Sequence, residues 1–290
     1  YENIKNIHVV WFGGEPLLGI KQIESLYRKM ILIPDKNYSF SIISNGFLIS
    51  PDIIKLFKEM KLQHIQITLD GLKETHNKIK FTKNENDTFS RTIKNIDLLA
   101  SSAPEIRISI RVNMNKENSS EFITLYSFIL QRYKSNPLIG IYPAFITSTS
   151  FKSSSSCSLL FNRQEKSEFI QQLYYDRGIV TNLCGYPDSS FTECSIRNKH
   201  TFTIDPEGYL YKCWEIIGDQ KYAIAKLDSE GTIQSIDQKI LNRYLYAADP
   251  LEDKTCSKCP YLPICFGGCP HKRIENIFKD KHYDTCTYLK

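Results

Sequence analysis

Through the first 180 residues, short apolar runs alternate with longer stretches whose apolar residues recur at helical spacing. The runs predict strands at 7–12, 39–44, 64–69, 107–113 and 139–145. The periodic stretches predict helices at 20–31, 51–58, 90–100, 119–133 and 163–176. Ser50, Ser90 and Ser119 stand where helix caps are expected. Strands alternating with helices imply parallel βαβ units joined by right-handed crossovers. Five units are too few for a closed eight-stranded barrel, so the expected fold is α/β, a partial (β/α)6 TIM-like barrel missing its first unit. The serine-rich stretch at 147–156 has no periodicity and reads as a surface loop. Further on, 201–204 and 209–212 alternate like hairpin strands around Asp205-Pro206-Glu207-Gly208.

Polar and glycine residues gather just past the predicted strand ends, where α/β folds place their ligands. Gly13-Gly14-Glu15-Pro16 follows the first strand, Ser44-Asn45-Gly46 ends the second and Asp70-Gly71 follows the third. Arg111-Val112-Asn113 ends the fourth. Paired glycines let the backbone approach a small ligand, Glu15 can accept from an ammonium, and Arg111 can fork onto a carboxylate. An amino acid moiety offers both charges. Taken singly, Gly-Gly is ordinarily a turn and a buried Asp or Arg an ion pair; four in order carry more weight.

The chain has nine cysteines, and seven lie between 194 and 286. The spacing is Cys194-x13-Gly208-x4-Cys213, then Cys256-x2-Cys259-x5-Cys265-x3-Cys269, then x16 and Cys286. Thiolates spaced this way are metal ligands, of iron–sulfur clusters or of structural zinc. A disulfide framework does not suit an odd count in a long chain with no secretory signal. Two domains follow: a partial barrel over 1–180 and a cysteine-rich domain over 181–290.

Composition adds limits. At 41% hydrophobic and 24% charged the chain is an ordinary globular one. No apolar run approaches a membrane span, so no membrane is expected. Thiolate chemistry needs a reducing compartment, and the expectation is cytoplasmic. Tyr1 is no initiator methionine and a strand begins almost at once, so the chain is expected to be a fragment.

The cysteine spacing resembles the SPASM domain found at the C-terminus of many radical S-adenosylmethionine enzymes, and the match covers roughly the last hundred residues. The strand-end residues over about 4–145 resemble the radical S-adenosylmethionine core itself. The resemblance implies S-adenosyl-L-methionine as cofactor, held by Gly13, Gly14 and Glu15, with Ser44, Asn45 and Asp70 around it. It also implies that Arg111 or Asn113 reaches the cofactor's carboxylate or ribose. It implies two auxiliary [4Fe–4S] clusters, the first on Cys194, Cys213 and Cys269, the second on Cys256, Cys259, Cys265 and Cys286. Cys184 is then the expected fourth ligand of the first cluster, the alternatives being an open iron site or a spare thiol; Cys157 is read as a bystander. Each four-thiolate cluster carries roughly −2, which brings the formal +5 to about +1 and removes the argument for a nucleic-acid partner.

The family's Cys-x3-Cys-x2-Cys, which binds the cluster that cleaves the cofactor, does not occur before Gly13. The expectation is that it lies upstream with a third cluster; the alternative is a degenerate relative that only binds a peptide partner. The implied activity is hydrogen abstraction by a 5′-deoxyadenosyl radical from a peptide or protein substrate. Electrons would come from a donor such as flavodoxin or ferredoxin. In anaerobic sulfatase-maturating relatives an aspartate near the first auxiliary cluster is the base, whereas here Trp214 follows Cys213. This favours thioether or carbon–carbon crosslinking of a ribosomally made peptide, with formylglycine formation as the alternative.

Overall fold

The computed structural model describes residues 4–82, 86–147, 158–180 and 194–286. The chain divides into two compact units, Tyr1–Phe161 and Asn162–Lys290.

In the first unit the elements are β1 (Asn6–Trp11), α1 (Ile20–Met30), β2 (Asn37–Ser44), α2 (Pro51–Glu59), β3 (His64–Thr68), α3 (Lys73–Ile79), α4 (Thr88–Ser102), β4 (Arg107–Met114), α5 (Phe122–Arg132) and β5 (Ile139–Phe145). The five strands pair in parallel in the order β1-β2-β3-β4-β5. Right-handed crossovers that always advance in one direction place every connecting helix on the same face, as in a (β/α) barrel and unlike a doubly wound sheet.

The strands read accordingly. Along β4, Ile108, Ile110, Val112 and Met114 are buried, and along β3 so are Ile65 and Ile67. Buried likewise are apolar residues of the helices such as Phe57, Ile96, Leu99, Phe122 and Ile129, each 1% exposed or less. The alternate positions form a polar face, as the period of two requires. On it His8 bonds to Ser39 and Ser41, His64 bonds to Ser109, and Tyr142 donates to Gln66.

Local signals explain most helix starts. Ser50 accepts from Ile53 N, with Pro51 in the first turn of α2. Two expected caps are elsewhere. Asp87, not Ser90, caps α4, and it does so by accepting from Ser90 N. Ser119 opens a short 3-10 turn, and α5 follows from Phe122 without a side-chain cap. The helix α3 was not expected; its run Lys73-Glu74-Thr75-His76-Asn77-Lys78-Ile79 lacks an apolar stripe, and only His76 on it is buried.

The second unit opens with α6 (Arg163–Arg177), which carries a full capping box between Asn162 and Glu165 and ends at Gly178 in the left-handed region. It continues with β6 (Thr203–Ile204), β7 (Tyr209–Tyr211), β8 (Ala225–Leu227), β9 (Ile233–Ile236), α7 (Gln238–Leu245), α8 (Leu262–Cys265) and α9 (Pro270–Lys279). The four short strands form one antiparallel sheet. The expected hairpin is present: Asp205 accepts from the N–H groups of Glu207 and Tyr209, and Gly208 takes φ +83°. Ile196, Tyr211, Cys213, Ile216, Tyr244, Ala248 and Ile274 form one buried cluster, and Ile170, Leu173, Ile179, Leu210 and Ile224 are buried as well. Among the described residues no helix is long and apolar enough to cross a membrane.

Candidate cofactor site and cysteine centres

At the C-terminal ends of the parallel strands the expected polar residues form two hydrogen-bonded knots. The first is built on Glu15. Its Oε1 accepts from Leu17 N at 3.0 Å and from Ser44 Oγ at 2.8 Å, and its Oε2 accepts from Asn45 N at 2.7 Å. Ser44 Oγ in turn accepts from Gly46 N. Glu15 thus ties the turn after β1 to the loop after β2, with room for one further donor on Oε2. Gly13 lies at φ +155°, and a Cβ on Gly13 or Gly14 would meet nothing within 4 Å, so open space adjoins this backbone. Gly46 is required for another reason: at φ +75° its Cβ would stand 2.9 Å from Ile67 Cγ2.

The second knot runs Arg111 to Asn113 to Asp70. Arg111 Nε donates to Asn113 Oδ1 at 2.9 Å, and Asn113 Nδ2 donates to Asp70 Oδ1 at 3.0 Å. Lys80 Nζ lies 3.6 Å from the other Asp70 oxygen. Asp70 is only 3% exposed and holds Asn113 in place. Arg111 uses Nε to orient its plane, and its two terminal nitrogens make no bond among the described residues. That leaves a two-pronged donor for a carboxylate. Beneath this knot His76 Nδ1 accepts from Asp70 N at 3.2 Å. Burial pushes the His76 imidazole down to about 4, with Asp70 opposing and Lys80 assisting, so the ring is neutral near pH 7. Sequence reasoning missed His76 and the polar face of His8, His64, Gln66, Ser109 and Tyr142. The signal was the strict alternation in His64-Ile65-Gln66-Ile67 and Arg107-Ile108-Ser109-Ile110.

In the second unit the cysteines fall into two groups, and none of the seven described is in a disulfide. Cys213, which follows β7, is buried, and burial pushes its thiol up to about 12. The Glu215 N–H opposes this, while Cys269, the Glu215 carboxylate and Cys194 lie near enough to add to it electrostatically. Cys194 precedes a 3-10 turn and Cys269 immediately precedes α9; both are exposed. Neighbouring Lys212 is 2% exposed and donates to Asn198 O and Thr201 O, both at 2.6 Å, which clamps the loop ahead of β6. Cys184 and Cys157 lie outside the described residues. Trp214, at the position after Cys213, is 62% exposed and so is not a core residue.

The other four thiols, Cys256, Cys259, Cys265 and Cys286, line one hollow together with Tyr261, Leu262, Gly267, Arg273 and Thr285. Asp253 accepts from Thr255 N and Cys256 N, both at 2.9 Å, and Asp284 accepts from Cys286 N. Between Cys265 and Cys269 three consecutive residues have positive φ: Phe266 at +52°, Gly267 at +80° and Gly268 at +73°. This left-handed run carries the chain from Cys265, on the hollow, to Cys269 at the start of α9. A Cβ on Gly268 would lie 1.8 Å from Thr285 O, so only glycine lets the segment bearing Cys286 close over the hollow. Among the described residues no three Cys, His, Asp or Glu side chains converge on an ion-sized point. Four sulfurs around a hollow suit a polynuclear cluster better than one tetrahedral ion.

Residues 2–129 match the Radical SAM superfamily. The chain is 25% identical over 306 residues to a cysteine-type anaerobic sulfatase-maturating enzyme of Clostridium novyi, covering 94% of this chain and 75% of the relative. It is 29% identical over 303 residues to the radical SAM cyclopropyl synthase TigE of Paramaledivibacter caminithermalis, covering 96% of this chain and 58% of the relative. Among solved structures, native anSMEcpe with bound AdoMet superposes with a TM-score of 0.68 at 20% identity, over 99% of this chain and 80% of that one. Streptococcus suis SuiB bound to its precursor peptide SuiA gives 0.57 at 16% identity, over 98% and 65%. At these identities the two structural likenesses speak for the fold.

Proposed function

We propose that this chain, which carries a radical SAM domain related to the anaerobic sulfatase-maturating enzymes, modifies a peptide or protein substrate by hydrogen abstraction. The carrying observation is the convergence of Cys256, Cys259, Cys265 and Cys286 on one hollow, in a chain whose 2–129 match that superfamily. S-adenosylmethionine with [4Fe–4S] clusters supplies the one-electron chemistry of this family when bound.

In this reading the open backbone at Gly13 and Gly14 receives the methionine end of the cofactor. The remaining lone pair of Glu15 Oε2 accepts from its ammonium, and the terminal nitrogens of Arg111, held in plane by Asn113, meet its carboxylate. Ser44 and Asn45 keep Glu15 in place, and Asp70 keeps Asn113. Cys256, Cys259, Cys265 and Cys286 ligate one auxiliary cluster; Cys194, Cys213 and Cys269 ligate another, with Cys184 as its fourth ligand. Because the buried Cys213 thiol holds its proton up to about 12, ligation there releases a proton. A low-potential electron donor of the flavodoxin or ferredoxin kind and a reducing, cytoplasmic setting complete the proposal.

The product favoured is a thioether or carbon–carbon crosslink in a ribosomally made peptide. Trp214 supports this reading: it follows Cys213, near which the sulfatase-maturating pattern carries an aspartate, and it is not a core residue. The test is incubation with a crosslinking precursor peptide and, separately, with a sulfatase-derived Cys or Ser peptide. Loss of two hydrogens without an aldehyde supports crosslinking. A product that reacts with a hydrazide on the sulfatase peptide alone replaces it with formylglycine formation.

A further inference from the structure

Arg273, on α9, is 6% exposed, and a guanidinium that deep must have every donor direction answered. Its Nε donates to Gly267 O at 2.7 Å, its Nη1 to Asp253 Oδ2 at 3.0 Å and its Nη2 to Cys256 Sγ at 2.7 Å. Asp253 also holds the Cys256 backbone through its other oxygen. Among the described residues Cys256 is the only thiol of its group that receives a charged donor. A neutral thiol is a poor acceptor for a guanidinium, whereas a cluster thiolate answers it in both charge and direction.

We propose that Arg273 sets the reduction potential of the cluster on Cys256, Cys259, Cys265 and Cys286, with Asp253 as its counterweight. The proposal rests on those four thiols ligating one cluster. Reduction adds one negative charge to the cluster, and a fixed cation donating to a ligand sulfur favours that state. Arg273 therefore raises the potential, and the Asp253 carboxylate lowers it. Because Nε of the same side chain holds Gly267, the potential is coupled to the left-handed turn that leads to Cys269 and the first cysteine group.

The test uses the full chain loaded anaerobically with iron and sulfide, and spectroscopic redox titration as the readout. The signal of this cluster is identified by its loss in Cys286→Ala. Arg273→Met is expected to shift the one-electron equilibrium at least tenfold towards the oxidised form, a fall of about 59 mV. Asp253→Asn is expected to shift it the opposite way, and Arg273→Lys, which keeps the charge but loses the fork, to fall between Met and the unmodified protein. A purely structural collar would not give opposite signs. Should Arg273→Met fail to load, the Lys and Asp253→Asn variants still decide. Potentials unchanged in all loaded variants, or shifted in one direction, overturn the proposal while leaving the cluster assignment intact. An iron content that Cys256→Ala and Cys286→Ala do not lower overturns the cluster assignment and the proposal with it.

Discussion

The two units hold themselves together by different means. In the first, five parallel strands pair along their length, and Ile65, Ile67, Ile108, Ile110 and Val112 on them are almost completely buried. In the second, the strands are two to four residues long, and the cluster around Cys213 has seven buried members among the described residues, two of them tyrosines and one a cysteine. Metal ligation adds its binding free energy to the folding of such a unit, and we propose that this unit relies on it. The left-handed turn at 266–268, the short α8 and the caps from Asp253 and Asp284 all position sulfurs. The first unit builds a scaffold and hangs a site on its edge. In the second, we propose, the site is the scaffold.

The largest effect that would sharpen this contrast is metal withdrawal. Protein prepared without iron and sulfide should show amide exchange in 194–286 near that of an unfolded chain, while 64–69 and 107–114 stay protected. Equal protection of both units without metal would break the comparison. Next comes Gly268→Ala. Its Cβ would fall on Thr285 O, so the segment bearing Cys286 must move, and the loaded chain should lose about four of about eight irons. An unchanged iron content would show that the turn is not needed for closure.

A third prediction belongs to the first unit and depends on pH. His76 is neutral when folded, and its imidazole is pushed down to about 4 from an ordinary 6.5. Between those values the unfolded chain binds more protons than the folded one, so stability falls as the pH drops from 6.5 to 4. The full contribution above pH 6.5 is about 3 kcal/mol. Denaturant unfolding at several pH values should show this slope in the unmodified chain and a flatter one in His76→Asn; identical slopes would refute it. The smallest effect is at a helix end: Ser50→Ala should cost about 1 kcal/mol, with no change in iron content.

The same contrast decides what could be read before the fold was known. The parallel sheet was legible because apolar runs and helical periodicity are local signals, and all five strands lie where the pattern placed them. The cap at Ser50 was legible for the same reason, while Asp87 outcompeted Ser90 from three residues upstream. Helix α3 was hidden because its burial rests on the polar His76. In the second unit the grouping of Cys256, Cys259, Cys265 and Cys286 came from the resemblance to the SPASM pattern. The elements β8, β9, α7 and α9 were not anticipated, being too short or too polar to announce themselves. Nor could spacing reveal that Glu15 spends three lone pairs on its own chain, or that Arg273 reaches Cys256 from seventeen residues away. Such contacts are set by tertiary structure.

The central claim, that two polynuclear iron centres organise the second unit, is tested most directly by iron, acid-labile sulfide and zinc per chain after anaerobic reconstitution. About eight irons and about eight sulfides, with no zinc, is the expected result. Zinc without iron would contradict the account of both centres.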